Sequence, residues 1–108
     1  MTNDALIERY QALLLQRPGD ELALFSLGKA LFDAGRFPEA ETHLQAALRA
    51  KPDWMVVAML LARCALHRGD KEAARRLYED ALGFAIAQHH EGPEEEIRHA
   101  LGHLAPNP

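Results

Sequence analysis

One helix-turn-helix pattern is written twice in this sequence at an offset of 34 residues, the separation of Pro18 and Pro52. At that offset Leu27 falls on Leu61, Gly35 on Gly69, Ala40 on Ala74, Ala47 on Ala81 and Leu48 on Leu82. A unit repeated at such a period cannot bury its apolar face alone and folds by stacking on its neighbour. Alanine and leucine are abundant, and no alternating Val/Ile/Thr segment bounded by turns is present, so helices without strands are expected.

The helix boundaries follow from capping chemistry. Leu6, Ile7, Tyr10, Leu13 and Leu14 recur at helical spacing, with Asn3 as the expected N-cap. At the repeat period Tyr10 falls on Leu44 and Tyr78, and Leu14 on Leu48 and Leu82. The chain therefore opens with half a repeat, expected to cover the next helix. Asp20 is expected to cap a helix from Glu21 to Ala34, and Pro38 suits the first turn of the helix that ends near Ala50. Asp53 is expected to cap a helix from Trp54 to about Arg68, with Trp54 packing in the joint between repeats, and Asp70 to cap the helix beginning at Lys71. Gly35 and Gly69 stand where a left-handed cap favours glycine. Beyond Gly92 and Pro93, which are expected to break the chain, Glu94, Glu95 and Glu96 suit a helix first turn and Ile97, Ala100, Leu101 and Leu104 form a last apolar stripe. The tail from Ala105 to Pro108 is expected to fray.

These residues carry a resemblance. Leu24, Leu27, Gly28 and Leu31, followed by Ala40, Leu44, Ala47 and Pro52, resemble the tetratricopeptide repeat (TPR), with its large-x-x-Leu-Gly-x-x-large first helix and its alanine-marked second helix ending at proline. The second copy reads Ala58, Leu61, Ala62 and Ala65, then Ala74, Tyr78 and Ala81, with Ile86 in place of the proline. That departure predicts a second helix running on to about His89. The resemblance implies an all-α fold, a right-handed superhelix of about six helices in antiparallel pairs. One domain over 1–108 is expected: a packing helix over 3–17, repeats over 20–52 and 53–89, and a capping helix over 92–104.

Charge and composition narrow the function. A net charge of -4 argues against binding nucleic acid through a basic face. The start of the chain lacks a signal-peptide layout, and the apolar run from Trp54 to Ala62 is too short for a bilayer, so no membrane is expected. The single cysteine fits a reducing cytoplasm. No phosphate loop, paired-cysteine metal pattern or nucleophile signature is present, so no enzyme and no cofactor are expected. Cys64 aligns with the small Ala30 and reads as a packed thiol, with His67 no evident partner for it. His99 and His103, one turn apart, and His89 and His90 are candidate metal ligands, yet nothing in sequence completes a four-ligand set, and no metal is expected.

The resemblance places the first helices of successive repeats on the concave side of the superhelix. Its groove positions correspond here to Leu22, Phe25, Lys29, Phe32 and Asp33, then Val56, Met59, Arg63, Leu66 and His67. Independently, Leu22, Phe25, Lys29 and Phe32 recur at steps of three and four, a second stripe beside Leu24, Leu27 and Leu31. Lys29 and Arg63 occupy matching positions; they either receive a ligand carboxylate or are solvated or paired with Asp33 and nearby glutamates. The carboxylate clamp of chaperone-tail receptors in this family is absent, because Phe25, Lys29 and Leu60 occupy its positions. The expectation is a non-enzymatic adaptor or scaffold that binds a peptide or protein segment. The alternative is a homo-oligomeric subunit that uses the same stripe as a self-interface.

Overall fold

The computed structural model describes residues 2–104; the tail from Ala105 to Pro108, expected to fray, lies outside them. Six α-helices and no strands are present among the described residues. They are α1 (Asn3–Gln16), α2 (Glu21–Asp33), α3 (Phe37–Ala50), α4 (Met55–His67), α5 (Lys71–Ala87) and α6 (Glu91–Leu104). The chain forms two compact units that meet in sequence at Pro52 and Asp53. In the first, α1 packs on α2 and α2 on α3; in the second, α4 packs on α5 and α5 on α6.

Small residues set the spacing within each unit. Ala23, Leu24, Leu27, Gly28 and Leu31 of α2 are buried, as are Ala40, Leu44 and Ala47 of α3. In the second unit Met55, Ala58 and Ala62 of α4 form one cluster with Tyr78, Ala81 and Ala85 of α5 and with Ile97 of α6.

The helix ends explain the turns. Asp20 accepts a hydrogen bond from the Ala23 amide at 3.0 Å, and Asp70 accepts one from the Ala73 amide at 3.0 Å, as their positions predict. Two other caps differ from expectation. Thr2, not Asn3, caps α1, its hydroxyl accepting from the Ala5 amide; Asn3 is already the first helical residue. Asp53 does not cap α4, whose N-cap residue is Trp54, with no side-chain hydrogen bond to the helix end. Gly92 and Pro93 do not break the chain either. They lie inside the first turn of α6, where the Glu94 amide donates to the His90 carbonyl at 2.9 Å. Proline is tolerated there because the first amides of a helix have no carbonyl partner to lose.

At the C-terminal ends, α2, α4 and α5 close with the same pair of bonds. The Gly35 amide donates to the Phe32 carbonyl and Arg36 to Leu31; Gly69 donates to Leu66 and Asp70 to Ala65; His89 donates to Ile86 and His90 to Ala85. This Schellman closure requires a left-handed residue at its centre. Gly35 (φ 78°), Gly69 (φ 80°) and His89 (φ 58°) supply it. With Ile86 in place of a proline, α5 continues to Ala87 and reaches 17 residues, ending two residues before the His89 expected from the second repeat. The ends of α1 and α3 are set instead by Pro18 and Pro52, which keep Arg17 (φ -134°, ψ 77°) and Lys51 (φ -136°, ψ 89°) out of the helical region.

Candidate binding cleft

The second unit contains a cleft of about 530 Å³ walled by all three of its helices. From α4 come Met55, Val56, Met59, Leu60 and Arg63, a stripe at steps of one and three to four residues beside the core stripe Ala58, Ala62 and Ala65. Tyr78 enters from α5, and Pro93, Glu96 and Ala100 from α6. The α6 wall is anchored by Ile97, which is fully buried in the cluster with Met55 and Tyr78.

The cleft is apolar in its aliphatic and thioether lining and carries one charge of each sign, on Arg63 and Glu96. Both act on the phenol between them in sequence. Burial pushes the Tyr78 hydroxyl above its ordinary pKa, the Arg63 cation opposes that shift and the Glu96 carboxylate adds to it. The phenol therefore stays protonated throughout the neutral range, a polar tip on an apolar ring. Two methionines in the wall give a surface that adapts its shape to an occupant.

Three of the expected groove residues, Val56, Met59 and Arg63, thus share one site. Leu66 and His67, farther along α4, are exposed and do not line it. On α2, Leu22 is 68% exposed and Phe25 half-buried. The Lys29 ammonium lies 2.9 Å from the Asp33 carboxylate, an exposed pair four residues apart, so the pairing alternative holds for that lysine. Phe32 is only 9% exposed and meets Phe37 edge to face at 5.1 Å. It belongs to the core of the first unit.

The expected groove also lacked Met55, Leu60 and Tyr78, and it lacked Pro93, Glu96 and Ala100 because the repeat register stops before α6. Their spacing of three and four residues, one stripe beside Ile97 and Leu101, was the available signal. Cys64 is buried. Among the described residues, no group of three or more His, Cys, Asp or Glu side chains is placed to hold a metal ion, and no helix is long and apolar enough to cross a membrane.

No curated protein matches the sequence. Among solved structures, the Yersinia enterocolitica type III secretion translocator chaperone SycD superposes with a TM-score of 0.90 at 14% identity, over 94% of this chain and 71% of that one. Pseudomonas aeruginosa PcrH, in complex with the chaperone-binding region of PopD, gives 0.89 at 21% identity, over 94% and 77%. Protein BPP2914 of Bordetella parapertussis gives 0.80 at 30% identity, over 92% and 86%. Two tetratricopeptide-repeat family models match the sequence itself, one over residues 31–85 and the other over residues 7–53. The repeat read from Leu24 to Ala81 is therefore of that kind, and the chain belongs to the tetratricopeptide-repeat family.

Proposed function

We propose that this chain is a non-enzymatic, cytoplasmic binding module that receives a peptide segment of another protein in the cleft of its second unit. The observation that carries the reading is the cleft's composition: adaptable apolar walls from Met55, Val56, Met59 and Leu60, with Arg63 and Glu96 among them. Such a site takes an apolar anchor residue and fixes the direction of the flanking chain by charge. PcrH with a region of PopD and SycD with a peptide of YopD supply structural precedents for the fold in complex with a protein segment.

Selection from a displayed random peptide library tests the reading. Peptides with an apolar anchor are expected to be enriched on the wild type and to lose about tenfold or more in affinity on Met59→Asp, a loss of about 1.4 kcal/mol. A control change on α3, Gln45→Glu, leaves affinity unchanged. Failure to select any peptide, or equal affinity for the wild type and Met59→Asp, removes the cleft as a binding site. The self-assembly reading is separated by light scattering, where a dimer lost in Leu22→Glu, the most exposed apolar residue among the expected groove positions, would favour it.

A further inference from the structure

On the outer surface of α6, His99 and His103 stand four residues apart with Nε2 atoms 3.1 Å apart and ring centroids 4.6 Å apart. We propose that this pair is a clip for a divalent transition-metal ion of the imidazole-binding class, Cu(II) most tightly. The site is independent of the cleft.

The geometry is that of two nitrogens converging on one point. Two imidazoles bound side by side to one ion at about 2.0–2.1 Å, with the bonds about 90° apart as in a tetragonal Cu(II) site, hold their nitrogens about 2.8–3.0 Å apart, against 3.1 Å here. The same arrangement sets the ring centroids about 4.5–4.6 Å apart, against 4.6 Å here. In the ion's absence the same 3.1 Å contact is a hydrogen bond between the two rings, which a bound ion would replace. The ring centroids are only 1.5 Å farther apart than the Nε2 atoms and the ring planes cross at 84°, so small ring rotations suffice to aim both nitrogens at one ion.

Both side chains are exposed, so an ion reaches them without opening the fold. Spacing of four residues on a continuous helix holds the two rings on one face, which removes most of the ordering cost that two independent histidines would bear. Two imidazole nitrogen donors with no third protein ligand among the described residues leave the remaining positions to water. That set does not define a closed structural zinc site. It follows the general order of affinity in which Cu(II) exceeds Ni(II) and Zn(II). Because the ion would bridge successive turns of α6, its binding stabilises the folded helix.

The test is Cu(II) titration of the full chain without an affinity tag, followed by calorimetry and by electron paramagnetic resonance. The wild type is expected to bind one ion with two nitrogen donors and to melt at a higher temperature in its presence. His99→Ala and His103→Ala, each checked for helix content, should each weaken binding by about tenfold or more and abolish the thermal shift. Introducing Glu95→His into the His103→Ala chain rebuilds the four-residue spacing with His99 and should restore binding. Equal affinity in the wild type and both single variants, or a site that disappears in His89→Ala with His90→Ala instead, overturns the proposal.

Discussion

A β-carbon placed on Gly28 would lie 2.7 Å from both Cγ and Cδ2 of Leu44, so α2 and α3 approach each other more closely than any side chain at residue 28 permits. Leu44 is fully buried and has no solvent to retreat into. Gly28→Ala gains about 1 kcal/mol of helix propensity but incurs an overpacking cost of about 1–3 kcal/mol, so a net destabilisation of about 1 kcal/mol is expected. Thermal melting checks it. Combining the change with Leu44→Val should cost less than the two single losses added, since the two residues share one contact. At the matching place in the second unit Ala62 packs in the cluster of Tyr78, so the closest approach is specific to the first helix pair.

His89 holds φ at 58° to close α5, the role that Gly35 and Gly69 perform for α2 and α4. A β-carbon is strained in that conformation, and exchanging it for glycine relieves the strain while adding unfolded-state entropy. His89→Gly is therefore expected to stabilise the chain by about 0.5 kcal/mol, whereas Gly35→Ala or Gly69→Ala destabilises it by about 1 kcal/mol. Opposite shifts in denaturation midpoint at the two kinds of position are the expected outcome. A His89→Gly chain that melts earlier than the wild type would refute the argument.

How much of this was legible in the sequence depended on which physical signal each part carries. The last helix, α6, was read from its own apolar stripe; the repeat offset gave α1 to α5, since glycine, aspartate and proline punctuate it. Ile86 in place of a proline announced the longer α5 for the same reason. The starts of α1 and α4 were misplaced by one residue because Thr2 and Asn3, and likewise Asp53 and Trp54, offer adjacent capping sites that only backbone geometry separates. Pro93 misled in a different way: a proline in the first turn and a proline ending a helix look alike in sequence. Of the cleft, Val56, Met59 and Arg63 of the α4 wall came from the groove positions that the resemblance implies, while Met55, Leu60 and the α6 wall did not, since which stripe of a helix faces its neighbour is decided by packing. Phe32 shows the converse, a residue in groove register drawn into the core by its edge contact with Phe37.

Asp70 links stability to pH. The Ala73 amide and, at 2.8 Å, the Arg68 guanidinium hold its carboxyl below the ordinary value of 3.8. Its folded-state pKa is depressed, so its contribution is fully present above that ordinary value and is lost as pH falls through the lower, folded one. Glu39, held down by Arg36, acts in the same direction. Melting temperature is therefore expected to fall below about pH 4, and the fall should be shallower in Asp70→Asn, which keeps a capping oxygen without the titrating group. Parallel melting curves for the two chains from pH 5 to pH 2.5 would show that this carboxylate carries none of the acid sensitivity.

Ile97 connects the core of the second unit to the cleft, because the fully buried side chain of α6, with Ala100, Leu101 and Leu104 packed beside it, lies between Glu96 and the turn that carries Ala100. Truncating it to alanine removes a fully buried side chain from the cluster of Met55, Tyr78 and Ala81, at a cost of about 2–5 kcal/mol. A domain of this size has only about 5–15 kcal/mol of stability, so the variant should stay folded in the cold and melt well below the wild type. The same change frees α6 to move, and with it Pro93, Glu96 and Ala100, so affinity for a cleft-bound peptide should drop about tenfold or more at a temperature where the helix content is unchanged. Ile97→Val, a loss of about 0.5–1.5 kcal/mol, should keep most of the affinity. Undiminished affinity in a destabilised Ile97→Ala chain would mean that the peptide rests on α4 and α5 alone, and that α6 serves only to cover their apolar faces.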